Sequence, residues 1–146
     1  MKLMAVLFLT GVIGTALASP SADFRKRCDE LLNQKSKTKE AQRLHALFGA
    51  HWEYSMREFP ESATWRGYPG QNDRWTDYSP ESVAQRKDDT LSALKVVQSI
   101  DRAKLSVADQ LNFDLFKRNL ELERAGQQFP QHLLVISQMD GIQRSL

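Results

Sequence analysis

Three histidines, His45, His51 and His132, are the residues of this chain best suited to metal chemistry. A zinc-binding peptidase helix carries two histidines four residues apart, with a glutamate beside the first, so that both imidazole rings face one ion. His45 and His51 are six residues apart, which places them on different sides of a helix. We therefore predict no metal-binding and no catalytic residue in this chain, with His51 in the core and His45 exposed.

Nucleophilic catalysis finds no better support in the sequence. Cys28 is the single cysteine, and no motif around it would lower the pKa of its thiol. With one cysteine an internal disulfide is impossible. The functional interpretations of Cys28 are an intermolecular bridge or a reactive thiol. The alternative is an incidental cysteine near the amino end. There is no Gly-x-Ser-x-Gly turn. The adjacent carboxylates Asp88 and Asp89 are expected on a solvated helix face.

Four residues are candidates for the rim of a substrate cleft: Tyr68, Arg74, Gln138 and Met139. Arg74 stands between two aspartates in residues 72–77 and is predicted to pin this loop by charge-assisted hydrogen bonds, with ligand binding as the alternative. Gln138 and Met139 belong to a polar, glycine-containing segment after an apolar run, which is typical of a cleft rim and also of an ordinary turn. Tyr68 shares its loop with two further aromatic residues, which predicts that the loop packs against another part of the protein.

Hydrophobic periodicity predicts an all-α fold with three to five amphipathic helices that position these residues. The predicted elements are a short helix over 21–33, a polar linker over 33–39, a helix over 38–58, one further turn over 61–65, a loop over 66–79, a helix that Ser79 caps, and a helix from Ser106 to about Gly126. The apolar residues 132–136 are too few to distinguish a strand from the start of a helix.

Spacing also predicts which side of each long helix is buried. The helix over 38–58 has one wide apolar stripe: Leu44, Leu47, Phe48, His51, Trp52, Ser55, Met56 and Phe59. The next helix is expected to bury Val83, Lys87, Thr90, Leu91, Leu94, Val97 and Ile100. The last helix is expected to bury Leu111, Leu115, Leu122 and the stem of Arg118, with Phe113, Phe116 and Leu120 on its flanks. So many apolar residues indicate that this last helix has contacts on more than one face.

Residues 1–18 have the pattern of a secretory signal peptide: a basic Lys2, an apolar run over 3–17 and a small-x-small site that ends at Ala18. The run is shorter than the ~20 residues of a spanning helix, so cleavage after Ala18 is favoured over an uncleaved membrane anchor. Lipid attachment at Cys28 is disfavoured because basic residues precede it. The sequence thus predicts a secreted or periplasmic protein with no stable membrane span after cleavage.

The charge of the chain argues against a nucleic-acid partner. Without Lys2 the chain has 19 basic against 18 acidic residues, and no arginine cluster forms a basic stripe. The carboxyl end lacks a helix stop signal followed by a polar tail, which is typical of a chain cut in mid-course. The predicted organisation is a signal peptide over 1–18, a short helix and polar linker over 19–39, and a helical domain over 40–146 that is truncated at its carboxyl end.

Four segments in order carry a resemblance to a family. They are residues 52–67 (WEYSMREFPESATWRG), 72–79 (NDRWTDYS), 100–106 with 111–115 (IDRAKLS and LNFDL), and 129–133 with 138–141 (FPQHL and QMDG). The resemblance as a whole covers about residues 44–146, and over this region the chain resembles the amino-terminal part of the bacterial proteins known as domain of unknown function 885.

The resemblance implies a secreted or lipid-anchored helical protein, longer than this chain, that is similar to zinc metallopeptidases. It implies that this chain forms the amino-terminal cap of the larger fold, over one side of a peptide substrate channel. Zinc and the catalytic residues are then expected only in a full-length relative, in the carboxyl-terminal part of the same fold, and this chain alone is expected to be inactive. The alternative hypothesis is a complete small secreted helical binding or interaction module without catalytic activity.

Overall fold

The computed structural model describes residues 19–35 and 38–130. The predicted signal peptide over 1–18, together with His132, Gln138 and Met139, lies outside the described residues. The described ranges contain no strand, and their elements are α1 (Pro20–Asn33), α2 (Glu40–Glu58), α3 (Pro60–Trp65), α4 (Pro80–Ser99), a 3-10 turn (Arg102–Lys104) and α5 (Val107–Gly126). The predicted all-α class is confirmed. None of the helices in these ranges is long and apolar enough to cross a membrane.

Serine side chains start three of the helices, and the sequence predicted two of them, Ser79 and Ser106. The Ser79 hydroxyl accepts a hydrogen bond from the Ser82 amide at 3.3 Å, and Pro80 occupies the first helical position of α4. The Ser106 hydroxyl accepts from the Asp109 amide at 3.1 Å and donates to the Asp109 carboxylate at 2.8 Å. Ser19, the first described residue, caps α1 in the same way.

The hydrophobic core lies where α1, α2 and α4 meet, and α5 covers one side of it. Every long helix contributes apolar side chains at three- and four-residue steps. The buried ones include Phe24, Cys28 and Leu31 on α1, Leu44 and Leu47 on α2, Ala93, Val96 and Val97 on α4, and Phe113 and Leu120 on α5. Each such large apolar side chain contributes about 1.5–3 kcal/mol when it leaves water.

A fully buried arginine connects three of these helices. Arg43 on α2 is 0 % exposed, and its Nε donates a hydrogen bond to the Leu31 carbonyl at the end of α1, at 3.0 Å. Its terminal nitrogens donate to the Glu40 carboxylate at 2.8 Å and to the Ser99 hydroxyl at 2.6 Å. The guanidinium therefore satisfies groups at the carboxyl ends of α1 and α4, where helices leave carbonyls without partners.

The predicted orientation of α5 is wrong. Leu111, Leu115 and Leu122 are 61, 52 and 58 % exposed, whereas the supposed flanking residues Phe113 and Leu120 are 6 and 2 % exposed. Phe116, another supposed flanking residue, packs edge-on against Phe48 of α2 with 4.9 Å between ring centroids. The two apolar sides of α5 are nearly opposite at about 100° per residue. Tertiary contacts with α2 and α4 decide which of them enters the core.

We call the exposed side of α5 the outer stripe; it consists of Val107, Leu111, Leu115 and Leu122. Val107 is the most exposed member, at 85 %. The stripe follows the whole length of the helix, at spacings of four, four and seven residues. The prediction that α5 makes contacts on more than one face is not confirmed: within the described residues one apolar face packs on the core and the outer stripe stays exposed.

Three other burial predictions are also corrected. Asp89 is 1 % exposed rather than solvated, because it points from α4 towards α1. Lys87, predicted to be buried, is exposed, and so is Trp52 on α2, at 49 %.

Cys28 is 0 % exposed within the core, where burial raises the pKa of its thiol to about 12. This burial rules out the intermolecular bridge and the reactive thiol for the folded protein.

Candidate functional site

The described residues form a groove of about 560 Å³ between the start of α4, the end of α5 and the loop that precedes α4. Half of its lining residues are aromatic or aliphatic, and two of these are unusually exposed for their type: Tyr78 at 52 % and Phe129 at 61 %. The other apolar walls are Phe59, Val83, Leu122 and Pro130. Concave apolar surfaces of this size are the usual places where proteins bind peptides or small molecules.

Arg86 of α4 is the central polar residue of the groove. Its Nε donates a hydrogen bond to Glu58 at 2.8 Å, and a second nitrogen donates to the Asp77 carbonyl. Its guanidinium carbon lies 5.3 Å from the centre of the Phe59 ring and 5.6 Å from that of Tyr78. These contacts hold the two aromatic walls in position, which is a typical use of the planar guanidinium group.

Two carboxyl groups near the groove have raised pKa values. Burial raises the pKa of Glu58, although its ion pair with Arg86 opposes the shift. Burial also raises the pKa of Glu123 on α5, against the effect of its hydrogen bond with Thr90 at 2.9 Å. Gln127 donates to the same Thr90 hydroxyl at 2.9 Å. Thr90 thus connects α4 to the end of α5 beside the groove.

Asp89 is the most buried carboxylate in the described part of the chain. The Ser21 hydroxyl donates to its Oδ1 at 2.8 Å, and Arg25 Nε lies 3.5 Å from the same oxygen. Its Oδ2 is buried and accepts no well-aligned hydrogen bond there, although the Tyr54 hydroxyl interacts with the carboxyl group. Burial is the main cause that raises the pKa of Asp89. This cluster joins α1 to α4 and does not line the groove.

The location predicted for His45 is confirmed, whereas His51, predicted in the core, lies at the edge of the core beside Phe24. His51 is partly buried, and its ring packs edge-on against Phe116 with 5.1 Å between ring centroids. Burial lowers the pKa of His51. His45 is exposed, and its Nε2 lies 2.7 Å from Asp109 at the start of α5. Within residues 19–35 and 38–130, no group of three or more His, Cys, Asp or Glu side chains could hold a metal ion.

The structure does not bring the predicted cleft-rim residues into this groove. Tyr68 is partly buried in the loop after α3, Arg74 is exposed in the same loop, and neither lines the groove. Arg74 donates to Gln71 at 3.2 Å instead of bridging its neighbouring aspartates. Gln138 and Met139 lie outside the described residues.

The carboxylate of Glu61 anchors the loop, a role that the sequence interpretation missed. It accepts hydrogen bonds from the amide and the hydroxyl of Thr76, at 2.9 and 2.5 Å. Burial alone would raise the pKa of Glu61, but the bonds from Thr76 outweigh it and lower the pKa. Trp75 stays 55 % exposed, so the expected close packing of the loop's aromatic residues is only partly realised.

Arg86 was also missed, although the sequence has a usable signal. It stands two turns inside a helix that begins beside Tyr78, and Phe59 ends the preceding long helix. An arginine that close to two helix-end aromatics is a candidate for stacking. Its burial alongside Glu58 depends on the path of the intervening loop, which residue spacing does not specify.

Comparisons with known proteins identify one family. The family described as "Bacterial protein of unknown function (DUF885)" matches residues 60–146, a range that includes α3, α4, α5 and most of the groove. No curated protein and no solved structure matches the chain. Since the match covers more than half of the 146 residues, the chain belongs to the DUF885 family of bacterial proteins.

Proposed function

We propose that this chain is the amino-terminal helical portion of a secreted, zinc-metallopeptidase-like protein, and that the metal-binding and catalytic part lies elsewhere in that protein. Membership of the DUF885 family and the four resembling segments support the proposal. The observation that carries it is the two-sided α5. This helix lies wholly within the family match, and its outer stripe has no cover among the described residues. Such a helix is suited to the middle layer of a larger helical fold.

In this proposal the chain forms one side of a peptide channel. The groove between Tyr78 and Phe129 offers apolar side chains to a peptide, with Arg86 fixing the positions of the walls. Tyr68 and Arg74 remain proposed rim contacts on the neighbouring loop, and Gln138 and Met139 remain so on sequence grounds alone. The described side chains supply contact surface and position; no chemical step is assigned to them.

Zinc does not fit the described part of the chain. A catalytic zinc needs three protein ligands, and this part offers no group of three or more suitable side chains. His45 and Asp109 form a pair at 2.7 Å, which is one ligand short and is already used to hold α5 on α2. A zinc ion of the complete protein would therefore be held by other residues.

Secretion or a periplasmic location is part of the same proposal. Cleavage after Ala18 would make Ser19 the first residue, and Ser19 is the residue that caps α1. The helix could thus begin directly at the new amino terminus without an unstructured leader. Amino-terminal sequencing of protein recovered from culture medium or periplasm is expected to start at Ser19; a start at Met1 would contradict the proposed processing.

The decisive experiment combines gene sequencing with a peptidase assay. We would read the nucleotide sequence after the codon for Leu146, then express both the complete reading frame and this chain. Expected are a continued frame that encodes a zinc-binding helix, peptide hydrolysis by the complete product that a chelator abolishes, and no hydrolysis by this chain. A stop codon at that point, or zinc-dependent hydrolysis by this chain, would contradict the proposal.

The closed core favours a second candidate, a small helical binding module. Leu44, Leu47, Val96 and Val97 are all 0 % exposed, and Arg43 satisfies two helix ends, so α1, α2 and α4 have a complete interior. A module would unfold in one cooperative transition and bind little hydrophobic dye. Strong dye binding that disappears when Leu115 is replaced by Asp would favour the larger fold instead.

A further inference from the structure

The outer stripe has the shape of a helix-docking surface. Its members are 52–85 % exposed, and the distance from Val107 to Leu122 along the axis is about 22 Å at 1.5 Å per residue. Apolar residues at these spacings form a straight ridge, which packs into the groove between the ridges of a second helix. A small ligand would not use a ridge of this length.

The other side of α5 is already occupied. Phe113 and Leu120 are buried against the core, and Phe116 contacts both Phe48 and His51. Asp109 at the start of the helix is held by His45 at 2.7 Å, and Asp114 is held by Arg102 through two hydrogen bonds of 2.9 and 2.7 Å. These contacts fix the rotation of α5, so the stripe cannot turn inward to bury itself.

Arg118 gives the stripe a specific charge requirement. By helical position it lies between Leu111, Leu115 and Leu122, on the same side of α5. It makes no hydrogen bond or ion pair with the described residues, and the nearby Asp114 carboxylate is already bound by Arg102. A covering surface that left this guanidinium buried and unpaired would pay a large desolvation cost. A carboxylate on the cover would satisfy this guanidinium where the covering surface removes it from water.

We propose that the outer stripe of α5 binds an amphipathic helix that carries an acidic residue opposite Arg118. The assignment of this helix to the remainder of the DUF885 protein rests on the proposed function. The apolar and charge requirements of the surface do not depend on that function. The apolar face of the helix covers Leu111, Leu115 and Leu122, and its carboxylate forms a bidentate pair with the guanidinium of Arg118.

The test uses two stapled helical peptides with the same leucine face, about 15 residues long to match the stripe. They differ only in one position, a Glu or a Lys, placed to face Arg118. Fluorescence anisotropy with the purified chain is expected to show at least tenfold tighter binding of the Glu peptide. Arg118→Glu is expected to reverse this preference, and Leu115→Asp is expected to abolish binding of both peptides.

A matched control lies on the same helix. Arg124→Glu makes the same charge change about 120° further round α5, so it is expected to leave the preference for the Glu peptide unchanged. Circular dichroism of each variant checks that the helices stay folded. Because Arg118, Leu115 and Arg124 are all exposed, their substitution leaves the core intact.

Other results would overturn the proposal. Equal affinity for both peptides, or no binding of either, would contradict the charge requirement or the surface itself. Self-association of the chain that Leu115→Asp abolishes would make a second copy the occupant. Binding that appears only after deletion of residues 131–146 would make that segment the occupant. None of these results bears on chelator-sensitive hydrolysis by the complete reading frame, so the two proposals fail separately.

Discussion

Replacing Arg43 by alanine is expected to destabilise the fold more than replacing any surface arginine. The side chain is 0 % exposed and donates to the Leu31 carbonyl, the Glu40 carboxylate and the Ser99 hydroxyl. Alanine would leave all three acceptors buried or partly buried without a donor. Glu40, 9 % exposed, would also keep a charge without its partner.

The magnitude follows from the kind of interaction that is lost. Breaking a buried ion pair by removing one partner costs about 3–5 kcal/mol. Domains of this size are stable by only about 5–15 kcal/mol, so Arg43→Ala removes a large share of the total. At roughly 4 °C per kcal/mol, the Tm is expected to fall by about 12–20 °C. Arg43→Lys keeps the charge but loses the planar guanidinium group with its several donors. The Tm of this variant is therefore expected to lie between that of Arg43→Ala and that of the unmodified chain.

Urea and thermal unfolding, followed by circular dichroism, would measure these changes. Arg102→Ala is the matched control, because Arg102 makes two hydrogen bonds with Asp114 but is about half exposed. Exposed pairs of this kind contribute little, so its unfolding midpoint is expected to stay close to that of the unmodified chain. A loss below about 1 kcal/mol in Arg43→Ala would refute the assignment of Arg43 as the connection between three helices.

Three further predictions concern the neighbouring elements. Asp89→Asn is expected to raise the free energy of unfolding at neutral pH, because the folded-state pKa of Asp89 is raised. The stability that the protonated carboxyl group contributes is complete below its unfolded-state pKa. That contribution is lost as the pH rises through the folded-state pKa. Urea unfolding of both proteins against pH is expected to show the gain of the variant shrinking in acid; an equal gain at every pH would contradict this cause. The Cys28 thiol is expected to react with a thiol reagent only in denaturant, and rapid labelling of native protein would show that α1 undocks. Glu61→Ala is expected to accelerate tryptic cleavage after Arg74 with unchanged helix content, because the loop loses both hydrogen bonds from Thr76. In the control variant Glu81→Ala, which changes an exposed glutamate, trypsin is expected to cleave at the original rate.

Helix boundaries could be predicted because they depend on short-range chemistry. Ser79 followed by Pro80 starts α4, and Ser106 with Asp109 starts α5, in the way that capping energetics require. Pro60 ends α2 because its ring excludes a helical conformation in the preceding residue, and the observed end at Glu58 agrees. These signals lie within a few residues of the structure they determine.

Burial of polar residues could not be predicted by residue type. Asp89 stands four residues before Ala93 and therefore shares its helix face, and Arg43 directly precedes Leu44 on the inner side of α2. Both positions fit the apolar period, but carboxylates and guanidinium groups are assumed to be solvated unless a partner is known. The partners, Ser21 for Asp89 and Ser99 for Arg43, are 68 and 56 residues away in sequence. Local patterns contain no information on contacts at such separations.

The inverted face of α5 has a different cause, and it bears directly on function. Two apolar stripes of similar strength lie on opposite sides of this helix, so periodicity alone supports either orientation. The contacts of Phe116 with Phe48 and of Asp109 with His45 select one of them. Exposed leucines favour aggregation, so a second apolar stripe is typical of a helix that binds a partner surface. The residues that made the orientation ambiguous, Leu111, Leu115 and Leu122, are therefore the ones that form the proposed docking surface.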